Sequence, residues 1–204
     1  MASWRHRPEE VSGSWVCYRH VSPGHPALFH EAGEPAPTQP SGRWHKQGEG
    51  YAHYLSLTPS GTWAECARFF DVRDPAFAAE IKRDLWMLYV VEERVADLSS
   101  VNLIAAAGLD PDDFFSKSFQ GSWKIAQDLK EAGYSGLLTP SAALPGTGNL
   151  TLFGERFEVA VGIDPAKWKN PRPAGLIPSQ KVAENAQIPE KLLASVSFAT
   201  SAAG

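Results

Sequence analysis

Residues 50–70 read GYAHYLSLTPSGTWAECARFF and predict a strand that passes directly into a helix. The strand alternates, and one face carries Tyr51, His53, Leu55 and Leu57. Thr58 is a suitable N-cap, and Pro59 fits the first helical position because an amide hydrogen there would have no partner. We expect the helix to run to about Phe70, with an apolar stripe made of Trp63, Cys66, Ala67 and Phe70.

The rest of the chain combines short strands with few helices, which indicates an α+β fold rather than a regular βαβ array. Further strands are predicted at Trp15–Val21, Leu85–Val91, Gly136–Thr139, Asn149–Phe153 and Arg156–Ile163. A second helix is predicted from Ser122, as its cap, to a stop at Gly133. We therefore expect a leader over residues 1–14, a central domain over residues 15–164, and a C-terminal extension over residues 165–204, extended or partly disordered.

The composition is typical of a globular protein and disfavours nucleic-acid-binding and membrane-spanning classes. The 204 residues suit one domain, and 43% hydrophobic with 21% charged residues is ordinary for a globular chain. A net charge of -4 disfavours direct binding of nucleic acid, which needs a basic face. The longest apolar run, Leu85–Val91, is too short to cross a bilayer, and the charged N-terminus lacks a signal sequence. With only Cys17 and Cys66, outside any C-x-x-C motif, we expect no disulfide scaffold and a cytoplasmic protein.

Several familiar catalytic motifs are absent from the sequence, including a Walker A loop, a G-x-S-x-G elbow and a G-x-G-x-x-G that opens a helix. Gly146-Thr-Gly148 precedes a strand, so we interpret it as a turn. Three histidines recur at intervals of five: His20, His25 and His30. This spacing separates side chains on a strand, so we interpret them as solvated loop residues and expect no metal site.

Six short motifs follow one another along residues 15–160: Tyr18-Arg19, Gly42-Arg43-Trp44, Tyr54, Ala64-Glu65, Pro140-Ser141 and Asn149-Leu-Thr-Leu-Phe153. In their order and spacing, with even steps of eleven between the arginine, tyrosine and glutamate, they resemble the RES domain, a family of bacterial toxins that consume NAD⁺. Two departures stand out. His45 replaces the usual asparagine after Gly-Arg-Trp, and residues after 164 have no family counterpart.

The resemblance implies a fold similar to the ADP-ribosyltransferase toxins: a split, mostly antiparallel β-sheet with flanking helices and NAD⁺ in the cleft. It implies cleavage of the nicotinamide–ribose bond of NAD⁺ by phosphorolysis or hydrolysis, with inorganic phosphate as co-substrate in the first case and no metal. The alternatives are ADP-ribosylation of a protein, and a binding module of the same fold that has lost catalysis. The implied partner is an antitoxin with an Xre-like DNA-binding domain, and a homodimer stays open.

The resemblance also implies roles for five residues. Arg19 and Arg43 suit the pyrophosphate, because a guanidinium pairs with phosphate oxygens through two parallel hydrogen bonds. Tyr54 offers an aromatic face to the cationic nicotinamide. Glu65 would stabilise the positive charge that develops on the ribose, as a carboxylate does in glycoside hydrolysis. Ser141 can hydrogen-bond a ribose hydroxyl, a phosphate or the acceptor.

The same residues also fit a purely structural interpretation. Arg43 could stack on the neighbouring tryptophan at the surface. Glu65 falls opposite the apolar stripe of its helix, with Arg68 three positions on, which is typical of a solvated ion pair. Tyr54 fits a core position, and Ser141 fits an ordinary turn after its proline.

Overall fold

A computed structural model describes residues 2–28, 39–160 and 175–198. Within these ranges the strands are β1 (Glu9–Val21), β2 (Ala52–Ser56), β3 (Arg83–Asp97), β4 (Gly136–Pro140), β5 (Gly148–Phe153), β6 (Phe157–Ala160) and β7 (Leu176–Ala186). The helices are α1 (Pro59–Phe69), α2 (Pro75–Glu80), α3 (Val101–Ala106), α4 (Asp112–Phe115), α5 (Gln120–Glu131) and α6 (Glu190–Leu193). The predicted α+β class is confirmed.

The described strands form one sheet in the order β1-β2-β5-β4-β3-β7-β6, and β1 also pairs with β3. The first five strands therefore close into a ring. β3 is long enough to pair with β1 along one edge while its other edge is divided, with β7 beside the first half and β4 beside the second. Only β3–β4 and β6–β7 are parallel among these pairings, so the sheet is mostly antiparallel, as predicted, with helices at its flanks.

One apolar cluster fills the inside of the ring, because every ring strand contributes to it. Its members include Cys17, Leu55, Leu88, Leu138 and Leu150. A second cluster packs α3 and α5 against the outside of the ring, and a third packs α1 and α6 there. The wall of the ring is thus covered on both faces, and α1 is held firmly on its outer side.

The predicted passage from strand to helix is confirmed at β2 and α1. Thr58 is extended, its side chain accepts the amide hydrogen of Gly61 at 3.0 Å, and Pro59 takes the first helical position. The apolar stripe is confirmed except at its end. Phe70 follows the last helical residue and is 37% exposed, packing edge-on against Phe69 instead of entering the core.

Both ends of the predicted central domain need correction. The expected leader is wrong for Glu9–Ser14, which belongs to β1, because the second half of β3 extends beyond the predicted strand and pairs with it. The expected loose extension is wrong for Leu176–Ala186, since β7 pairs with β3 and buries Ile177. The proposed boundary at residues 164–165 and the predicted strand end at Ile163 lie outside the described residues, as does His30.

The second helix also begins differently from the prediction. α5 starts at Gln120, and Ser122 lies inside it, where its hydroxyl donates to the carbonyl oxygen of Asp113. That bond, rather than capping, explains why a serine stands there. Gly133, with φ of 83°, follows the helix as predicted. Cys17 and Cys66 are both free thiols. In the ranges that the structure describes, no helix has the length and apolar character needed to span a membrane.

Candidate active site

A carboxylate lies where α1 crosses the ends of β4 and β5. Glu65 is half-buried, and its Oε1 accepts hydrogen bonds from Ser141 Oγ and Asn149 Nδ2, each at 2.7 Å. Among the described residues, its Oε2 accepts no hydrogen bond. The carboxylate is therefore fixed in orientation through one oxygen and can offer the other to a bound molecule.

Ser141 uses all of its hydrogen-bonding capacity within the protein. It is 4% exposed, and its Oγ accepts the amide hydrogens of Ala143 and Leu144, each at 3.1 Å, while donating to Glu65. A hydroxyl has one hydrogen and two acceptor sites, and here all three are occupied. Ser141 was predicted to contact a ribose hydroxyl, a phosphate or the acceptor, but here it positions Glu65 and has no hydrogen left for substrate.

Asn149 is the second residue that orients Glu65, and the sequence interpretation gave it no role. It pairs with Ser56 across β2 and β5, and its Oδ1 accepts the Ser56 hydroxyl at 2.8 Å while its Nδ2 faces Glu65. A polar side chain at the start of a mostly apolar strand was the sequence feature that could have suggested this role. The sequence analysis includes that asparagine only as part of a family motif.

A tight turn, Gly42–His45, wraps around the hydroxyl of Tyr54. The amide of Trp44 donates to Tyr54 Oη at 2.9 Å, and His45 Nδ1 lies 2.9 Å from the same oxygen. A Cβ on Gly42 would lie 2.5 Å from that oxygen, so only glycine allows this close approach. Burial raises the pKa of Tyr54, so the hydroxyl stays protonated and the tyrosine anchors the turn.

Arg43 projects from this turn toward the segment between α4 and α5. Its Nη2 donates to the carbonyl oxygen of Ser116 at 2.8 Å, and its Cζ lies 5.0 Å from the centre of the Phe119 ring. Burial lowers the pKa of Arg43, the nearby Arg68 lowers it further, and the carboxylate of Glu65 opposes both effects. Arg43 is therefore a partly desolvated cation within electrostatic range of Glu65.

The alternative interpretation, in which Glu65 forms a solvated ion pair with Arg68, is wrong. Arg68 instead donates to the backbone carbonyl oxygens of Ala142, Ser197 and Phe115, at 2.8, 2.5 and 3.4 Å. These three segments meet over the helix and take three of the five N–H donors of the guanidinium. Glu65 lies opposite the apolar stripe, as the helical pattern predicts, but the turn after β4 partly covers that face of the helix.

Arg19 lies on the other face of β1 from this cluster. Tyr18 pairs with Ser56 and packs against the α1 side, and alternation along the strand directs the next residue toward the face of Cys17 and Val21. The hydrogen bonds of Glu65, Ser141 and Asn149 do not involve Arg19. The structure thus brings Arg43, Tyr54, Glu65 and Ser141 to one side of the ring wall, with Arg19 behind it.

Of the three evenly spaced histidines, His20 departs from the prediction. His20 belongs to β1, its ring stacks near Trp63 at 6.3 Å, and its Nδ1 accepts from Arg83 Nε at 3.1 Å. The interpretation of His20 as a solvated loop residue is wrong because β1 continues to Val21. In the described part of the chain, no three residues of the metal-binding types lie close enough to hold an ion.

Comparison with known proteins identifies the class. The family model of the RES domain matches residues 16–181, so this chain belongs to the RES-domain family, as the six motifs predicted. The match extends into the first half of β7, so the expectation that residues after 164 have no family counterpart is wrong there, in agreement with the place of that strand in the sheet.

Two relatives from Mycobacterium tuberculosis are similar to this chain. A protein of strain ATCC 25618 / H37Rv named as a probable NAD(+) phosphorylase is 32% identical over 117 residues, which are 57% of this chain and 55% of the relative. The match thus spans about half the length of that relative. A chain of the crystallised MbcT–MbcA toxin–antitoxin complex superposes with a TM-score of 0.63 at 19% identity, covering 91% of this chain and 90% of the other. The latter similarity establishes the shared fold.

Proposed function

We propose that this protein cleaves the bond between nicotinamide and ribose in NAD⁺ and acts as a toxin by depleting the cell of NAD⁺. The observation that carries the proposal is the carboxylate of Glu65, which two side-chain donors fix through Oε1 and whose Oε2 has no hydrogen-bond donor among the described residues. Departure of nicotinamide leaves positive charge on the ribose. A preorganised carboxylate stabilises that charge most strongly in the transition state, where the charge is largest.

The other residues of the cluster fit the rest of the substrate. Arg43 is a cation with a planar fork suited to phosphate oxygens, close to the carboxylate yet not consumed by it. The hydroxyl of Tyr54 is occupied by the turn, so its aromatic ring is the part we assign to the nicotinamide. For Arg19, the proposed role in pyrophosphate binding comes from the family resemblance, and titration of NAD⁺ into Arg19→Gln tests it separately.

The ADP-ribosyl group can be transferred to phosphate or to water. In phosphorolysis, a phosphate oxygen forms a bond to the anomeric carbon while the bond to nicotinamide breaks, and nicotinamide leaves neutral. Water gives free ADP-ribose instead. We favour phosphate because the relative at 32% identity is named for that reaction. The mostly antiparallel sheet with flanking helices, and Glu65 at the ends of β4 and β5, is the arrangement we compare with the ADP-ribosyltransferase toxins.

An antitoxin protein is the proposed partner, and the cytoplasm the proposed compartment. The superposed chain comes from a toxin–antitoxin complex, and the family resemblance implies an antitoxin with an Xre-like DNA-binding domain. A catalyst that destroys a shared cofactor harms its own cell at low copy number, so a dedicated inhibitor is expected. Direct contact of this acidic chain with nucleic acid is not part of the proposal.

A binding module without catalysis is favoured by one feature, the replacement of the usual family asparagine by His45. In the structure, however, His45 Nδ1 lies 2.9 Å from the hydroxyl of Tyr54 and helps to hold the turn that carries Arg43. The replacement therefore keeps a hydrogen-bonding group at that place, which weakens the argument for lost activity.

The deciding experiment is incubation of purified protein with NAD⁺, with and without inorganic phosphate, followed by chromatography and mass measurement of the products. We expect free nicotinamide in both reactions, a faster release with phosphate, and a phosphorylated ADP-ribose only when phosphate is present. Intact NAD⁺ after incubation would leave the binding module as the better account. A single ADP-ribose unit added to a host protein, with free NAD⁺ unchanged in expressing cells, would favour protein modification.

A further inference from the structure

Two arginines next to Glu65 are anchored to consecutive residues of one segment. Arg43 Nη2 donates to the carbonyl oxygen of Ser116 at 2.8 Å, and Arg68 Nη2 donates to that of Phe115 at 3.4 Å. Arg68 lies one helical turn after Glu65 on α1, and Arg43 reaches the same segment from the turn around Tyr54. Both guanidinium groups are therefore held side by side at the end of α4.

Neither guanidinium is neutralised within the part of the chain that the structure describes. Arg43 donates only to the carbonyl oxygens of Asp113 and Ser116, and Arg68 only to those of Ala142, Ser197 and Phe115. All five acceptors are uncharged. Elsewhere on this protein, the arginines that meet carboxylates form ordinary ion pairs, as Arg156 does with Glu92 at 2.8 Å.

Two cations held close together repel each other, and besides burial the charge of Arg68 lowers the pKa of Arg43. The nearby carboxylate of Glu65 offsets only part of this, because its effect on the pKa of Arg43 is smaller than that of Arg68. An anion between the two guanidinium groups would relieve the repulsion and receive charge-assisted hydrogen bonds.

We propose that Arg43 and Arg68 together form a two-arginine subsite for a phosphate group beside Glu65. The inference rests on the proposed function and adds Arg68 as a binding residue. Two sources share this chemistry: the pyrophosphate of NAD⁺ and free inorganic phosphate that acts as acceptor. Arg68 therefore has two tasks, since it also ties together the turn after Ser141, the segment after α4 and the residue Ser197.

The test is calorimetric titration of wild type and Arg68→Gln with three probes: inorganic phosphate, NAD⁺ and nicotinamide riboside, which carries no phosphate. Loss of charge-assisted hydrogen bonds should weaken binding of the phosphate-bearing probe by roughly ten- to one-hundred-fold. A loss confined to NAD⁺ assigns the subsite to the pyrophosphate, and a loss confined to inorganic phosphate assigns it to the acceptor. Affinity for the riboside should stay unchanged in either case.

The matched control is Arg73→Gln. Arg73 follows the same helix, is exposed, and pairs with its own carboxylate, Asp71, at 3.0 Å. We expect it to bind all three probes as the wild type does. Arg68→Lys keeps the charge but loses the fork, so it should retain part of the affinity. If Arg68→Gln and Arg68→Lys melt at a lower temperature yet bind both phosphates as wild type does, Arg68 is structural only and the subsite is rejected.

The wild type decides the question even where the variants fail to fold. Phosphate or NAD⁺ should protect Arg68 from an arginine-specific dicarbonyl reagent, with the modified residues mapped by mass spectrometry, and absence of protection rejects the subsite. A wild type that releases nicotinamide while the subsite tests fail leaves the proposed function intact. A wild type in which phosphate protects Arg68 but NAD⁺ is never cleaved rejects the proposed function alone.

Discussion

Ser141 donates its hydroxyl hydrogen to Glu65 across 2.7 Å, although 76 positions separate the two residues in the chain. The bond joins the turn after β4 to the middle of α1, and Asn149 adds a second donor from β5. The carboxylate on α1 is therefore oriented by groups on two other segments before any ligand arrives. Such preorganisation avoids a reorganisation cost during the reaction, which is how fixed charges contribute most to catalysis.

Ser141→Ala should lower kcat for NAD⁺ cleavage while leaving KM nearly unchanged, because the serine orients Glu65 and has no hydrogen left for substrate. The amides of Ala143 and Leu144 lose their acceptor, so we also expect a loss of about 1–3 kcal/mol in the free energy of unfolding. Steady-state kinetics and urea unfolding measure the two effects.

Ser60→Ala is the control for this prediction, because Ser60 is an exposed residue of the same helix as Glu65. It should match the wild type in both measurements. A Ser141→Ala protein with raised KM and normal kcat would instead place the serine in direct contact with NAD⁺.

Gly42→Ala should destabilise the turn that carries Arg43, because the new Cβ would lie 2.5 Å from Tyr54 Oη. Overpacking of this kind costs about 1–3 kcal/mol. In a Tyr54→Phe background the offending oxygen is gone, although Cζ remains 2.9 Å away, so the cost of the alanine should be smaller there. A double-mutant cycle by urea unfolding measures the coupling. Strictly additive effects of the two changes would show that the turn does not depend on this contact.

The sequence correctly predicts the elements whose formation depends on residues close together in the chain. Thr58 and Pro59 fix the start of α1 through a cap and a missing donor, so the helix could be placed without knowing the fold. The first residues of β1, from Glu9, and β7, from Leu176, could not be predicted in this way, because both depend on pairing with β3. An exposed or polar strand shows little hydrophobic alternation in its sequence.

The same distinction separates the predicted from the missed parts of the site. Arg43, Tyr54, Glu65 and Ser141 were found through motifs of the family, and the structure gathers them on one side of the ring wall. The role of Asn149 and the three-way bonding of Arg68 come from contacts between distant segments. No spacing in the sequence records those contacts.

A chain ending at Asp164 should aggregate, because it lacks β7. That strand pairs with β3 along its first half, and its loss would expose the β3 edge together with the contacts of Ile177 and Ser179, which are fully or almost fully buried. An unpaired edge next to an uncovered core is a template for association. Size-exclusion chromatography and far-UV circular dichroism of the truncated protein provide the measurement. A soluble monomer with native-like spectra would show that the fold does not require β7.

His45→Asn should reduce the loss of stability in mild acid. Burial lowers the pKa of His45 below its ordinary value of 6.5, so the folded protein resists a proton that the unfolded chain accepts. Stability is thus complete above about pH 6.5 and declines as the pH falls from there toward the folded pKa. Urea unfolding at about pH 7.5 and about pH 5 should give a larger difference for wild type than for the variant. Equal differences in the two proteins would show that His45 is not the group responsible.

Nicotinamide release from NAD⁺ by wild type and by Glu65→Gln measures whether the charge of this carboxylate is needed for cleavage. The Oε1 of glutamine can still accept from Ser141 and Asn149, so the fold and the local hydrogen bonds should survive while the charge is lost. We predict equal melting temperatures, similar affinity for NAD⁺, and a fall in nicotinamide release of about 10²- to 10³-fold. Glu155→Gln, which changes an exposed glutamate, should keep full activity. Release by Glu65→Gln at the wild-type rate would contradict the assignment of Glu65 as the group that stabilises the ribosyl cation, and with it the account of the site.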